Sequence, residues 1–121
     1  MTEFKGGCQC GAVRYESTSE PAFSIKCYCR QCQRITGTGH AVSFALPSDS
    51  VKLSGTLATY ELAAESGNRV ESRFCPNCGS PVMKRTDGHP QWWFFHAATL
   101  DDPTLIDPSK EVYQETRQPW D

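Results

Sequence analysis

Cys27-Tyr28-Cys29-Arg30-Gln31-Cys32 puts three thiols within six residues, close enough for one metal ion to take all three sulfurs. The other four cysteines form two tight pairs on either side, Cys8-Gln9-Cys10 and Cys75-Pro76-Asn77-Cys78, and these seven are all the chain has. A closed structural zinc site takes four protein ligands in a tetrahedron, whereas a reactive one keeps three and leaves a position open. Seven divides naturally into four plus three, which predicts one structural zinc and one zinc with a vacant coordination position. Spacing alone leaves the partition open. The triplet either holds its own ion while the two distant pairs close a second site, or Cys27 and Cys29 join the Cys75–Cys78 pair and Cys32 stays free.

Thiolate sulfur selects zinc over magnesium or calcium, and the spacings lack the cysteine runs of iron–sulfur proteins. Three thiolates already donate heavily to a metal, so a zinc held by them is a weaker Lewis acid than one held by imidazoles. Such a site suits small thiol substrates better than hydrolytic chemistry.

A chain of 121 residues with 38% hydrophobic content is expected to form one domain, spanning 1–121, with a modest core that metal ions reinforce. The formal net charge of −2 gives no support to a nucleic-acid or anionic-membrane partner. The first residues, Met1-Thr2-Glu3-Phe4-Lys5-Gly6-Gly7, carry no apolar signal core, and no apolar run approaches a membrane span. The expectation is a soluble cytoplasmic protein in a reducing setting, where paired cysteines bind metal rather than form disulfides.

The chain reads as mainly β. Alternation over Val13–Glu16 predicts a strand leaving a glycine-rich turn, with Cys8 and Cys10 extended so that both sulfurs share a face. Further strands are expected over Ala22–Lys26, Ala41–Leu46, Val51–Gly55, Thr56–Leu62, Arg69–Phe74, Val82–Arg85 and Gln91–Thr99. Arg30–Arg34 suits a helical turn, with Gly37 and Gly39 forcing a loop, and Glu65–Asn68 has hairpin-turn chemistry. The Trp92–His96 run reads as a strand buried on both faces and belonging to the core, and the tail from Asp102 reads as mostly irregular.

Four residues stand as candidate substrate contacts. Arg30 and Arg34 flank the triplet, and a guanidinium suits a carboxylate ligand, although solvated charge is an equal reading. Gln31 is a candidate hydrogen-bond donor to sulfur. His40 follows the glycine loop and either lines the ligand site or packs in a strand. His40 and His96 are also the candidate fourth ligands if the triplet closes. His96 otherwise reads as a satisfied core histidine and His89 as exposed.

Gly7-Cys8-Gln9-Cys10-Gly11, Cys27 through Arg34, Gly37, Cys75-Pro76-Asn77-Cys78-Gly79 and the closing Arg117-Gln118-Pro119-Trp120 together resemble the glutathione-dependent formaldehyde-activating enzyme family, also named for centromere protein V. The resemblance implies a β-tent fold of stacked antiparallel sheets stapled by zinc. It implies a structural zinc on Cys8, Cys10, Cys75 and Cys78, and a catalytic zinc, held more loosely, on Cys27, Cys29 and Cys32. It also implies a carbon–sulfur lyase or synthase acting on a glutathione adduct, S-hydroxymethylglutathione in the namesake case. Where the family commonly carries His between the first two cysteines of the triplet, this chain carries Tyr28.

Two functional readings follow. In the first, the vacant zinc position takes glutathione or a similar thiol and orients its attack on an aldehyde. In the second, the chain is a non-enzymatic zinc module that binds a protein partner or buffers metal.

Overall fold

The computed structural model describes residues 2–64 and 66–121. Its strands are β1 (Phe4–Gly7), β2 (Arg14–Ser17), β3 (Phe23–Cys27), β4 (Ala41–Pro47), β5 (Lys52–Ser54), β6 (Ala58–Ala63), β7 (Arg69–Phe74), β8 (Pro81–Thr86), β9 (Trp92–His96) and β10 (Lys110–Val112). A single α-helix, α1 (Arg30–Thr36), lies between β3 and β4 among the described residues. The strands form a three-stranded sheet, ordered β1-β2-β5, and a seven-stranded sheet, ordered β10-β3-β4-β9-β8-β7-β6. The architecture is therefore mainly β, and the larger sheet is mixed: β10 pairs with β3 in parallel, every other ladder being antiparallel.

Period-two alternation divides the large sheet into two working faces. Phe44 and Leu46 of β4, Met83 of β8 and Phe95 of β9 turn one way and pack with Phe4, Val13 and Tyr15 of the small sheet as the main core. The rings of Tyr15 and Phe95 stack with centroids 4.1 Å apart, and Phe44 lies 5.9 Å from Phe95 and 6.0 Å from Phe4. Each such buried aromatic contributes about 1.5–3 kcal/mol by transfer, with roughly 1 kcal/mol more per favourable ring pair. The intervening residues, Phe23, Ile25 and Cys27 of β3 with Phe94 and His96 of β9, turn the other way and line a cavity. The Trp92–His96 run is thus not uniformly core. Phe95 belongs to the core, Phe94 to the cavity wall, and Trp92 and Trp93 are only half-buried.

Three further expectations change. Gly6 and Gly7 lie in β1 rather than in a turn, because the chain passes too close to its neighbours for a side chain there. A Cβ on Gly6 would sit 2.3 Å from the Thr99 carbonyl oxygen and 2.6 Å from the Tyr15 hydroxyl. Gly6→Ala should therefore cost about 2–3 kcal/mol by overpacking, read as a thermal midpoint lowered by roughly 10 °C; an unchanged midpoint would contradict the close approach. Cys8–Gly11 is a turn rather than extended chain, closed by Gly11 N–H donating to the Cys8 carbonyl at 3.2 Å with Gly11 at φ +82°. The tail is not wholly irregular, since β10 adds an edge strand beside β3 with Val112 opposite Cys27. Three residues in parallel pairing leave neither a periodic pattern nor a hairpin turn to detect.

The turn expected over Glu65–Asn68 includes Glu65, which lies outside the described residues. Beside it, Ala64 N–H donates to Asn68 O at 2.9 Å and Gly67 adopts φ +87°. No helix is long and apolar enough to cross a membrane among the described residues.

Candidate metal centres and the cavity beside them

The seven thiols are all unpaired and collect in two groups, Cys8 with Cys10, Cys75 and Cys78, and Cys27 with Cys29 and Cys32. Within each group the sulfurs lie within 4.8 Å of one another.

The first group joins the two sheets. Cys8 and Cys10 come from the turn between β1 and β2, and Cys75 and Cys78 from the turn between β7 and β8. Cys8 Sγ lies 3.6 Å from Cys10 Sγ, and Cys10 Sγ lies 3.8 Å from Cys75 Sγ. A tetrahedron with metal–sulfur bonds of about 2.3 Å has an edge of about 3.8 Å, so the spacing fits a tetrahedral thiolate site. The surroundings fit it too, because donors converge on the sulfurs. Val13 N–H donates to Cys8 at 3.3 Å, Asn77 N–H to Cys75 at 3.4 Å and the Asn77 amide to Cys10 at 3.3 Å. Ser80 hydrogen-bonds Cys78 and is the foremost cause holding that thiol down at about 5.

The second group is assembled at the end of β3. Cys27 is buried, opposite Ala41 on β4 and Val112 on β10. Cys29 caps the helix, its sulfur accepting from Cys32 N–H at 3.3 Å, and the first turn of α1 returns Cys32 to the same side. Hydrogen bonds from the Cys27 and Cys32 thiols, in that order, push Cys29 down to about 2, while donation to Cys27 and Cys29 pushes Cys32 up. A divalent cation binding these three sulfurs would displace their remaining thiol protons. No His, Asp or Glu joins these three sulfurs among the described residues, so neither His40 nor His96 completes a fourth protein ligand.

Gln33 ties the helix down. It is buried, and its amide donates to the Tyr28 carbonyl at 2.8 Å and the Thr116 carbonyl at 3.1 Å. Its carbonyl oxygen accepts from Gln118 at 3.1 Å and from the Arg30 guanidinium. Tyr28, at the position commonly held by His, is outside the cavity lining. Its hydroxyl donates to Glu111 at 2.7 Å, and its ring lies under Lys26 and Arg117.

The triplet opens on a cavity of about 450 Å³. Arg30 and Gln31 line it, both exposed on α1, and Gln31 also donates to the Ala63 carbonyl at 3.0 Å. Arg34 and His40 stand outside the lining. Arg34 is exposed one turn further along α1, and His40 Nδ1 lies 2.7 Å from the Asp121 carboxylate, in the tail. Side chains that the sequence did not single out take their place: Lys84, whose ammonium lies 3.8 Å from Cys32 Sγ, and Glu115 and Thr116 of the tail. Gln33 was detectable as a polar residue continuing the cysteine motif. Lys84 carries no local signal, because only the β8–β9 ladder brings it to the triplet.

His96 lines the same cavity rather than sitting as a satisfied core residue. It is buried, and its imidazole makes no hydrogen bond among the described residues. Burial, with Lys84 adding to it, lowers its pKa from 6.5 to about 4. The ring is neutral at pH 7. Between pH 6.5 and 4 the unfolded chain takes up a proton that the folded one refuses, so stability present above pH 6.5 falls as the solution is acidified, by about 3 kcal/mol in all. The His96 imidazole resonance, assigned and followed by NMR, should titrate near pH 4, and a midpoint near 6.5 for that ring would contradict this environment.

The chain is similar to known proteins in sequence and in fold. A Halomonas elongata protein named "Putative glutathione-dependent formaldehyde-activating enzyme" is 25% identical over 122 residues, covering 96% of this chain and 78% of that protein. A crystal structure of a Rhodobacter sphaeroides protein shares the fold, with a TM-score of 0.67 at 23% identity, covering 89% of this chain and 99% of the other. The family described as glutathione-dependent formaldehyde-activating enzyme matches residues 3–116. With that match running almost from end to end, the chain belongs to the glutathione-dependent formaldehyde-activating enzyme family.

Proposed function

We propose that the protein is a zinc enzyme of carbon–sulfur chemistry that joins glutathione, or a similar small thiol, to an aldehyde, or releases it. The observation that carries this reading is the asymmetry of the two sulfur groups. Four sulfurs close on one another at the seam between the sheets, whereas three face a cavity with no fourth protein ligand among the described residues. In this reading Cys8, Cys10, Cys75 and Cys78 hold a structural zinc that staples the sheets in a β-tent arrangement. Cys27, Cys29 and Cys32 would hold a second zinc, which would supply an open Lewis-acid position able to lower a thiol's pKa.

The chain's own residues do the rest. Lys84 offsets the negative charge of the cysteine thiolates and offers a donor to a carbonyl oxygen. Neutral His96 presents a ring nitrogen for proton exchange within the cavity, whose walls hold the reactants together and limit access of water. Arg30 and Gln31 suit the carboxylates of a glutathione-like ligand. The step balances without an oxidant. The thiol gives up its proton, sulfur bonds to the carbonyl carbon, the C=O π pair passes to oxygen, and that oxygen takes the proton.

The test is native mass spectrometry with and without glutathione, together with formaldehyde consumption in the presence of the thiol. Two zinc ions, one of them altered or released by glutathione, and consumption above the uncatalysed rate are expected. Two zinc ions indifferent to thiol, with no consumption, would instead identify a non-enzymatic zinc module.

A further inference from the structure

We infer that the aldehyde handled by this site carries an apolar substituent of several carbons, which lies along the large sheet away from the cysteine triplet. The inference rests on the thiol-binding reading and extends it to the second reactant.

Formaldehyde adds one carbon and one oxygen to a thiol, and nothing in that fragment calls for an apolar wall. The cavity has one. On the face that carries Cys27, Ile25 follows two residues back along β3, roughly 7 Å away, and Phe23 follows two residues beyond it. Phe94 of β9 extends the wall across the sheet, and beyond Lys84 and Thr86 of β8 the lining turns apolar again at Val70 of β7 and Leu62 of β6. Register sets this surface: Ala45 separates Phe23 from Phe94 across β4, and Val70 stands opposite Leu62.

Lys84 stands opposite Phe94 in the β8–β9 ladder, but its charge is carried to the triplet. The Lys84 ammonium reaches Cys32 Sγ at 3.8 Å, and Arg30 sits on the helix beside the triplet. A doubly carboxylated tripeptide therefore finds its charge partners at the helix end, while a hydrocarbon group on the carbonyl carbon finds Ile25, Phe23 and Phe94. The reaction is unchanged by the substituent. Sulfur bonds to the carbonyl carbon, the thiol proton ends on oxygen, and the substituent is a spectator whose burial contributes binding.

S-alkylglutathiones test this without turnover, because their thioether carbon chain occupies the place of the adduct's substituent. Calorimetric dissociation constants for S-methyl-, S-butyl- and S-hexylglutathione on the zinc-loaded protein should fall steadily. The hexyl ligand should bind about thirtyfold more tightly than the methyl one, well short of full transfer of five methylenes. Ile25→Ala, with Phe94→Leu as a second and milder change, should reduce that ratio about threefold or more. A flat series, with glutathione itself still bound, overturns the inference and leaves the thiol reading standing. A preference that neither variant alters overturns the placement of the chain along this wall. Failure of glutathione and all its S-alkyl forms to bind removes the thiol reading, and the inference with it.

Discussion

On the proposed function, Cys32→Ser should lower glutathione-dependent formaldehyde consumption by at least about a hundredfold while the fold and the zinc on the four-sulfur group are kept. Cys32 is one of only three sulfurs at the cavity, and it is the one that the Lys84 ammonium approaches, at 3.8 Å. A serine hydroxyl is shorter, harder and protonated at neutral pH, so it neither holds a soft metal position nor balances that ammonium. The backbone around it is held by other means: Thr36 donates to the Cys32 carbonyl at 2.8 Å, and Gln33 anchors the helix to Tyr28 and Thr116. Native mass spectrometry should count one zinc in place of two, and the thermal midpoint should move by only several degrees. A variant that keeps both ions and full activity would sink the open-site mechanism. A variant that unfolds would show that the triplet, too, is a structural staple.

Cys75→Ser should act on stability instead. Cys75 is fully buried, its N–H donates to Ser80 O at 3.0 Å, and its sulfur lies 3.8 Å from that of Cys10, 65 residues away in sequence. A metal on these four sulfurs would close that long loop and tie the β1–β2 turn to the β7–β8 turn. Losing it releases chain entropy worth about 4 kcal/mol by the loop-closure argument, besides the metal–thiolate bonds. We expect the thermal midpoint to drop by at least about 15 °C, and chelation of the wild-type protein to reproduce the drop. Circular dichroism melts with zinc quantified on the same samples check this. An unchanged melt in the variant would mean that the aromatic core around Tyr15, Phe44 and Phe95 holds the sheets together unaided.

Much of this was legible in the residues. Alternating stretches such as Ala41–Leu46 and Arg69–Phe74 announce strands, and both fall within a few residues of β4 and β7. The helical turn after Cys29 is local chemistry, a capping sulfur with Gly37 closing the far end at φ +75°, and it too could be read in advance. The glycine pair at 6–7 was harder. The residue type signals a turn or a close approach equally well, and only the Thr99 carbonyl and the Tyr15 ring decide between them.

The sequence by itself determined the donor set open to a metal, seven thiols in three tight clusters, and the period-two patterning that makes the chain a β protein. Only the tertiary structure decided which clusters share a site, that Lys84 and His96 rather than Arg34 and His40 stand at the cavity, and that β10 closes the sheet beside Cys27. The reason is physical. Side-chain alternation fixes which residues of a strand share a face, because that is local geometry, whereas which strands become neighbours depends on contacts across dozens of residues that no short stretch records.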